Sequence, residues 1–129
     1  MEEKLIHAEL SRAIIGAAMT VLNELKPGLK EQLYENALVI ELRHLGYAVE
    51  QQARYQVSYR GCLIGTLVPD LVVERKIIVD AKTTAGFTDE HTATMIGYLA
   101  KTELDLALLL NFKYSTLQWK RVVRQAHDR

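Results

Sequence analysis

"VPDLVVERKIIVDAK", residues 68–82, sets Asp70, Asp80 and Lys82 into a stretch that otherwise reads as two Val/Ile-rich strands joined by a turn at Glu74-Arg75. Aspartate is scarce inside strands because its short carboxylate packs poorly on a pleated surface and is costly to bury unpaired. Side chains two apart along a strand project to the same face, so Asp80 and Lys82 point together while Val79 and Ala81 point the other way. A tight turn at Glu74-Arg75 places Asp80 opposite Pro69 or Asp70. Cross-strand neighbours stand about 5 Å apart at Cβ, so the two carboxylates converge if the register puts them on one face.

Two carboxylates that close repel unless a proton or a cation intervenes. Hard oxygen ligands, few in number and with room for water, suit Mg²⁺ or Mn²⁺ better than zinc. A cation of that kind polarises a phosphate and acidifies a bound water, and Lys82 is placed to orient that water or to stabilise developing negative charge. Phosphodiester hydrolysis is the chemistry that follows. The same spacing also describes a same-face ion pair on a solvated sheet, with Asp70 a turn or bulge residue beside Pro69. Spacing alone leaves both readings open.

Outward from this hairpin, period and punctuation predict the remaining elements. Leu10, Ile14, Ala17, Val21 and Leu25 recur at helical spacing, and Lys26-Pro27-Gly28 ends that helix. Leu33, Tyr34, Ala37, Leu38, Leu42 and Leu45 form the stripe of a second helix that stops at Gly46, with Glu31 in its first turn. From Tyr47 to Tyr59, odd apolar positions alternate with even polar ones, which predicts a strand with one wet face. Arg60-Gly61 turns the chain into a second strand, Cys62 to Val73, interruptible near Gly65 and Pro69. Lys76 to Lys82 is the third, completing an antiparallel meander. Thr88 is an N-cap for a third helix over about residues 89–101, helped by Asp89 and Glu90 in its first turn. "LDLALLLNF", residues 104–112, is an apolar run suited to a strand covered on both faces. "LQWKRVV", residues 117–123, reads as an edge strand, and "RQAHDR" after it as a fraying end. The expected class is α/β in the α+β sense, order ααβββαββ, a mixed sheet flanked by helices in a single domain spanning residues 1–129.

Composition narrows function further. Sixteen basic and sixteen acidic side chains cancel, so no overall field draws the chain to nucleic acid or membrane. Lys113, Lys120, Arg121, Arg124 and Arg129 against Asp128 alone offer a local basic edge or a solvated last strand. A single cysteine, Cys62, excludes an intrachain disulfide and a cysteine zinc cluster; nothing nearby activates it, and it reads as a packed thiol. The N-terminal stretch lacks the basic start and unbroken apolar run of a signal peptide, and no segment reaches membrane-span length. A cytoplasmic protein without membrane contact is expected. His7, His44 and His127 have no visible partner, and Tyr114 and Trp119 fit base stacking or packing.

The order αβββαβ, with Pro69-Asp70 on the second strand and Asp80-Ala81-Lys82 on the third, resembles the core of the PD-(D/E)xK nuclease superfamily, a restriction-endonuclease-like fold. Upstream, "KPGLKEQLYENAL" holds Gly28, Glu31 and Tyr34 in the spacing GxxExxY, and the chain is similar to the small bacterial GxxExxY proteins of that superfamily. The resemblance extends through "VSYRGCLIG" and "LLLNF" to "WKRVV". It implies Asp70 and Asp80 as metal ligands, with the Ala81 carbonyl as a further oxygen. It implies Glu31 as the helix acid assisting the metal, Lys82 as the catalytic lysine, and Mg²⁺ or Mn²⁺ as cofactor. Tyr34, His91 and Tyr98 become substrate-contacting or supporting residues, with Thr94 standing where the superfamily often has Gln; Asp80 is one methylene shorter than the usual Glu. The implied function is a Mg-dependent nuclease acting on nucleic acid, DNA foremost. The neutral minimal chain calls for a second copy or an accessory protein to help hold substrate. A non-catalytic module using the same fold for binding or dimerisation is the rival. An enzyme of nucleotide metabolism is disfavoured by the lack of a glycine-rich phosphate loop.

Overall fold

The computed structural model describes residues 5–124. The expected fraying end from Arg124 onward falls, beyond that residue, outside the described residues, as does His127. Helix α1 spans Ala8–Leu25 and buries Ile14, Ala17 and Val21 of the stripe that the sequence periodicity marks, together with Ala18 and Leu22, while Leu10 is half-buried and Leu25 is exposed. It ends where Lys26 and Gly28 turn to positive φ, at 67° and 110°. The Tyr34 hydroxyl ties this corner: it donates to the Lys26 carbonyl at 2.6 Å and accepts from the Leu29 amide at 3.1 Å. Helix α2, Glu31–His44, therefore starts at a fixed place and angle.

The strands are β1 (Val49–Gln51), β2 (Tyr55–Tyr59), β3 (Cys62–Leu67), β4 (Leu71–Val73) and β5 (Ile77–Lys82), followed by helix α3 (Asp89–Thr102), β6 (Leu106–Asn111) and β7 (Gln118–Val123). The main sheet has the order β1-β4-β5-β6-β7; β5 and β6 run parallel across the α3 crossover and the other pairs are antiparallel. Leu71, Val73, Ile77, Val79, Leu106 and Leu108, alternate residues of their strands, pack under α1 and α2. The intervening residues Val72, Ile78, Ala107 and Leu109, with Val122, pack under α3. Strand β6 is buried on both faces, which is why its sequence is a continuous apolar run. The mixed sheet flanked by helices is the predicted class.

The three-stranded meander is corrected. Each of its first two strands is cut in two, giving ααβββββαββ, and the inner pieces β2 and β3 leave the main sheet as a separate hairpin. The first break is at Gln52, which takes φ 57° and donates its amide to the Asp70 carbonyl at 2.9 Å. The second is at Pro69-Asp70, where proline cannot donate to a ladder. Period two persists through the break because Tyr55 and Val57 remain half-buried within the hairpin. Gly65 does not end β3; the irregularity it pairs with is a bulge between Val57 and Ser58.

Candidate active site

The β4–β5 register pairs Leu71 with Val79, so its continuation sets Asp70 opposite Asp80. Asp70 is not itself a strand residue; it occupies a bend one position before β4. That bend lets its carboxylate reach across, and Oδ2 accepts from the Ala81 amide at 3.2 Å. Asp80, two residues beyond Ile78 and on the same face, projects on the α3 side of the sheet, with only 8 % of its surface exposed. Lys82 shares that face, its Nζ 2.6 Å from Asp80 Oδ2. Oδ2 is buried, and the Lys82 ammonium at ion-pair distance is what balances its charge.

The electrostatics match this crowding. Burial raises the Asp70 carboxyl to about 8, reinforced by the charge of Asp80, a hydrogen bond shared with it and the charge of Glu35; the Ala81 amide works in the opposite direction. Burial alone would lower the Lys82 ammonium. Contact with Asp80 and the charges of Asp80, Glu31 and Asp70 outweigh it and hold Lys82 above the ordinary lysine value. Lys82 is thus a fixed cation rather than a proton acceptor.

Glu31 arrives from the first turn of α2, but its Oε1 accepts from the Thr83 amide at 3.1 Å, just past the end of β5. It acts on Lys82 by charge and fixes the strand's exit. Glu35, one turn further along α2, is the acidic residue that the sequence reading overlooked. It is 3 % exposed, its Oε2 accepts from Gln51 Nε2 at 2.8 Å and Gln52 Nε2 at 2.9 Å, and its charge acts on Asp70. The available signal was a carboxylate set among Tyr34, Leu38 and Leu42 on the buried stripe of an amphipathic helix.

The remaining candidates serve the frame around the site. Tyr34 is fully buried and stacks on Phe112, with ring centroids 4.9 Å apart, so its place is beneath the α1–α2 corner rather than at a substrate surface. His91 closes a capping box: its Nδ1 accepts from the Thr88 amide and its own amide donates to Thr88 Oγ1, both at 3.1 Å. Thr94 is exposed on α3, and Tyr98 packs half-buried against the cluster beneath that helix. Asn111, opposite Lys82 in β6 and fully buried, accepts from the Thr84 amide and donates to the Thr84 carbonyl, which fixes the loop leaving the site.

Among the described residues, no three carboxylate, imidazole or thiol side chains stand close enough to form a ready metal cluster. The donor set still fits a hard divalent cation that keeps most of its waters. Asp80 offers a buried carboxylate oxygen balanced by the Lys82 ammonium, Asp70 a carboxylate whose ionisation a cation would favour, and Lys82 offsets one charge of the three acids around it. A family model described as the PD-(D/E)XK nuclease superfamily matches residues 8–122. No curated protein and no solved structure matches the chain.

Proposed function

The chain belongs to the PD-(D/E)XK nuclease superfamily, and from that membership we propose that it is a divalent-metal-dependent nuclease hydrolysing phosphodiester bonds in nucleic acid. The observation that carries the reading is the facing pair Asp70 and Asp80, one carrying its proton up to about pH 8 and the other buried with Lys82 as its counter-charge. In this reading Asp70 and Asp80 hold Mg²⁺ or Mn²⁺, with the Ala81 carbonyl as a further oxygen and Glu35 as a fixed negative charge behind Asp70. The bound cation supplies Lewis-acid polarisation of the scissile phosphate and a more acidic water. Lys82, held positive, stabilises charge on the phosphoryl oxygens. Glu31 keeps the end of β5, and hence Lys82, in place through the Thr83 amide.

The finer placement in the GxxExxY group is supported by the separate work of its three residues. Gly28 takes a positive φ at the helix corner, Glu31 binds Thr83, and Tyr34 locks the corner to the core. One observation favours the non-catalytic rival: Glu31 is already committed to a backbone amide and does not join the two aspartates in a cluster.

Isothermal titration with Mn²⁺ separates the two. The nuclease reading expects one site that weakens at least tenfold in Asp70→Ala and Asp80→Ala; absence of binding to the unaltered protein would sink it. Cleavage assays on single-stranded, duplex and branched DNA should then yield a metal-dependent activity that disappears in Lys82→Ala.

A further inference from the structure

The β2–β3 hairpin has no obvious use in holding the fold. Its strands pair only with each other, and Tyr59, Leu63 and Ile64 are 60, 59 and 66 % exposed. Burial of those side chains would ordinarily be favourable, so leaving them in water points to something they touch. Pairing of Tyr55 with Leu67 and Tyr59 with Cys62 puts Tyr55, Val57 and Tyr59 on one face. Tyr55 packs against the cluster that contains Val72 and Ile78. That is the side of the sheet on which Asp80 and Lys82 project; Tyr55 itself lies among the charges of Glu50 and Arg75, toward the β4–β5 turn, and it is the chain that ties the hairpin to the candidate active site. The chain then passes through Val68 and Pro69 directly into Asp70.

Charge says what kind of partner fits. Residues 51–69 contain Arg54 and Arg60 and no acidic residue, in a chain whose charges cancel overall. The site itself is ringed by Glu31, Glu35, Asp70 and Asp80, which repel phosphate, and Lys82 is engaged with Asp80. Cationic help must therefore come from beside the site. Arg60 sits 5.4 Å from the centre of the Tyr59 ring, the pairing of guanidinium and aromatic face on which an unpaired base can stack while its phosphate meets the cation.

Resting on the nuclease reading, we propose that the β2–β3 hairpin is a strand-binding arm. Tyr59 stacks an unpaired base and Arg60 holds the phosphate of a single nucleic-acid strand that leads toward Asp70 and the site. Leu63 lies on the opposite face, paired with Ser58, and is not part of the stacking surface.

The test is fluorescence anisotropy with a labelled single-stranded DNA 20-mer, in Ca²⁺ to compensate the acidic site. Tyr59→Ala/Arg60→Ala should weaken binding about tenfold or more, whereas Leu63→Ser/Ile64→Ser should change it less than threefold. All four positions are exposed, and thermal melts of both variants should overlay that of the parent. Equal affinity of Tyr59→Ala/Arg60→Ala and the parent overturns the arm. So does a loss of binding accompanied, in sedimentation, by dissociation of a dimer, since the face would then be a protein interface. So does a parent that binds no strand while still binding Mn²⁺ through Asp70 and Asp80; that result leaves the metal site intact. Hairpin-dependent strand binding in a protein that takes no metal supports the arm and removes the nuclease.

Discussion

Asp70 keeps its proton in the folded chain to about pH 8, far above where an exposed aspartate loses it, because burial disfavours its charged form and ionising it adds a negative charge beside Asp80 and Glu35. The folded state thus binds this proton more tightly than the unfolded state does. Its contribution to stability is complete below about pH 4 and is lost as pH rises through about 8. Thermal melts of the metal-free protein between pH 5 and 9 should show that decline, and Asp70→Asn should flatten it. A bound divalent cation replaces the proton, so Mn²⁺ affinity should climb over the same interval; a pH-independent affinity would argue against Asp70 as a ligand. Glu35 adds charge without direct contact with the cation. Glu35→Gln should weaken Mn²⁺ binding by about tenfold, the order of one nearby charge at partly buried distance, while Glu31→Gln, whose partner is the Thr83 amide, should change it less.

At the scale of elements, two features set how well the site is held. The β4–β5 turn places Glu74 and Arg75 at φ 54° and 55°, a left-handed conformation that costs a residue with a Cβ about 1 kcal/mol or more. Glu74 is compensated, since its carboxylate accepts from the Ala48 amide at 2.6 Å and its own amide donates to the Ala48 carbonyl. Arg75 is exposed and makes no such contact. Arg75→Gly should raise stability by roughly 0.5 kcal/mol in urea unfolding, the relief of Cβ strain less the added freedom of the unfolded chain. Asn111→Ala should do the reverse, costing about 2 kcal/mol because the Thr84 amide and carbonyl lose their buried partner. Much of this level was legible in the sequence. Helical periods and caps gave α1, α2 and α3 to within a few residues, and counting across the Glu74-Arg75 turn narrowed the partner of Asp80 to Pro69 or Asp70, between which the observed register decides. The break at Gln52 was not legible, because a positive φ at glutamine carries no side-chain signature and is imposed by the Asp70 carbonyl, eighteen positions downstream. Glu35 was overlooked for a related reason: the two side chains that satisfy it, Gln51 and Gln52, come from beyond its own helix.

For the molecule as a whole, the balance of charge constrains how nucleic acid can be held. Sixteen cations against sixteen anions leave no general attraction to a polyanion, so affinity must be built from few contacts and from stacking. Much of the basic C-terminal stretch is spent internally: Arg121 donates to Ser11 and to the Ile6 carbonyl, Lys120 to Thr92, and Arg124 to Asp105. That withdraws much of the competing basic edge, and Arg60 on the hairpin and Lys82 in the site are the cations that this reading assigns to the strand. Two phosphate contacts on a single strand imply a slope of log K against log salt of about −1.4, since each contact contributes about −0.7. Anisotropy titrations from 50 to 200 mM KCl measure it directly. A slope of about −1.4 fits one copy of the chain holding the strand by the hairpin and the site. A slope of about −3, with sedimentation at twice the monomer mass, would mean that two copies grip one substrate, each contributing its own arm.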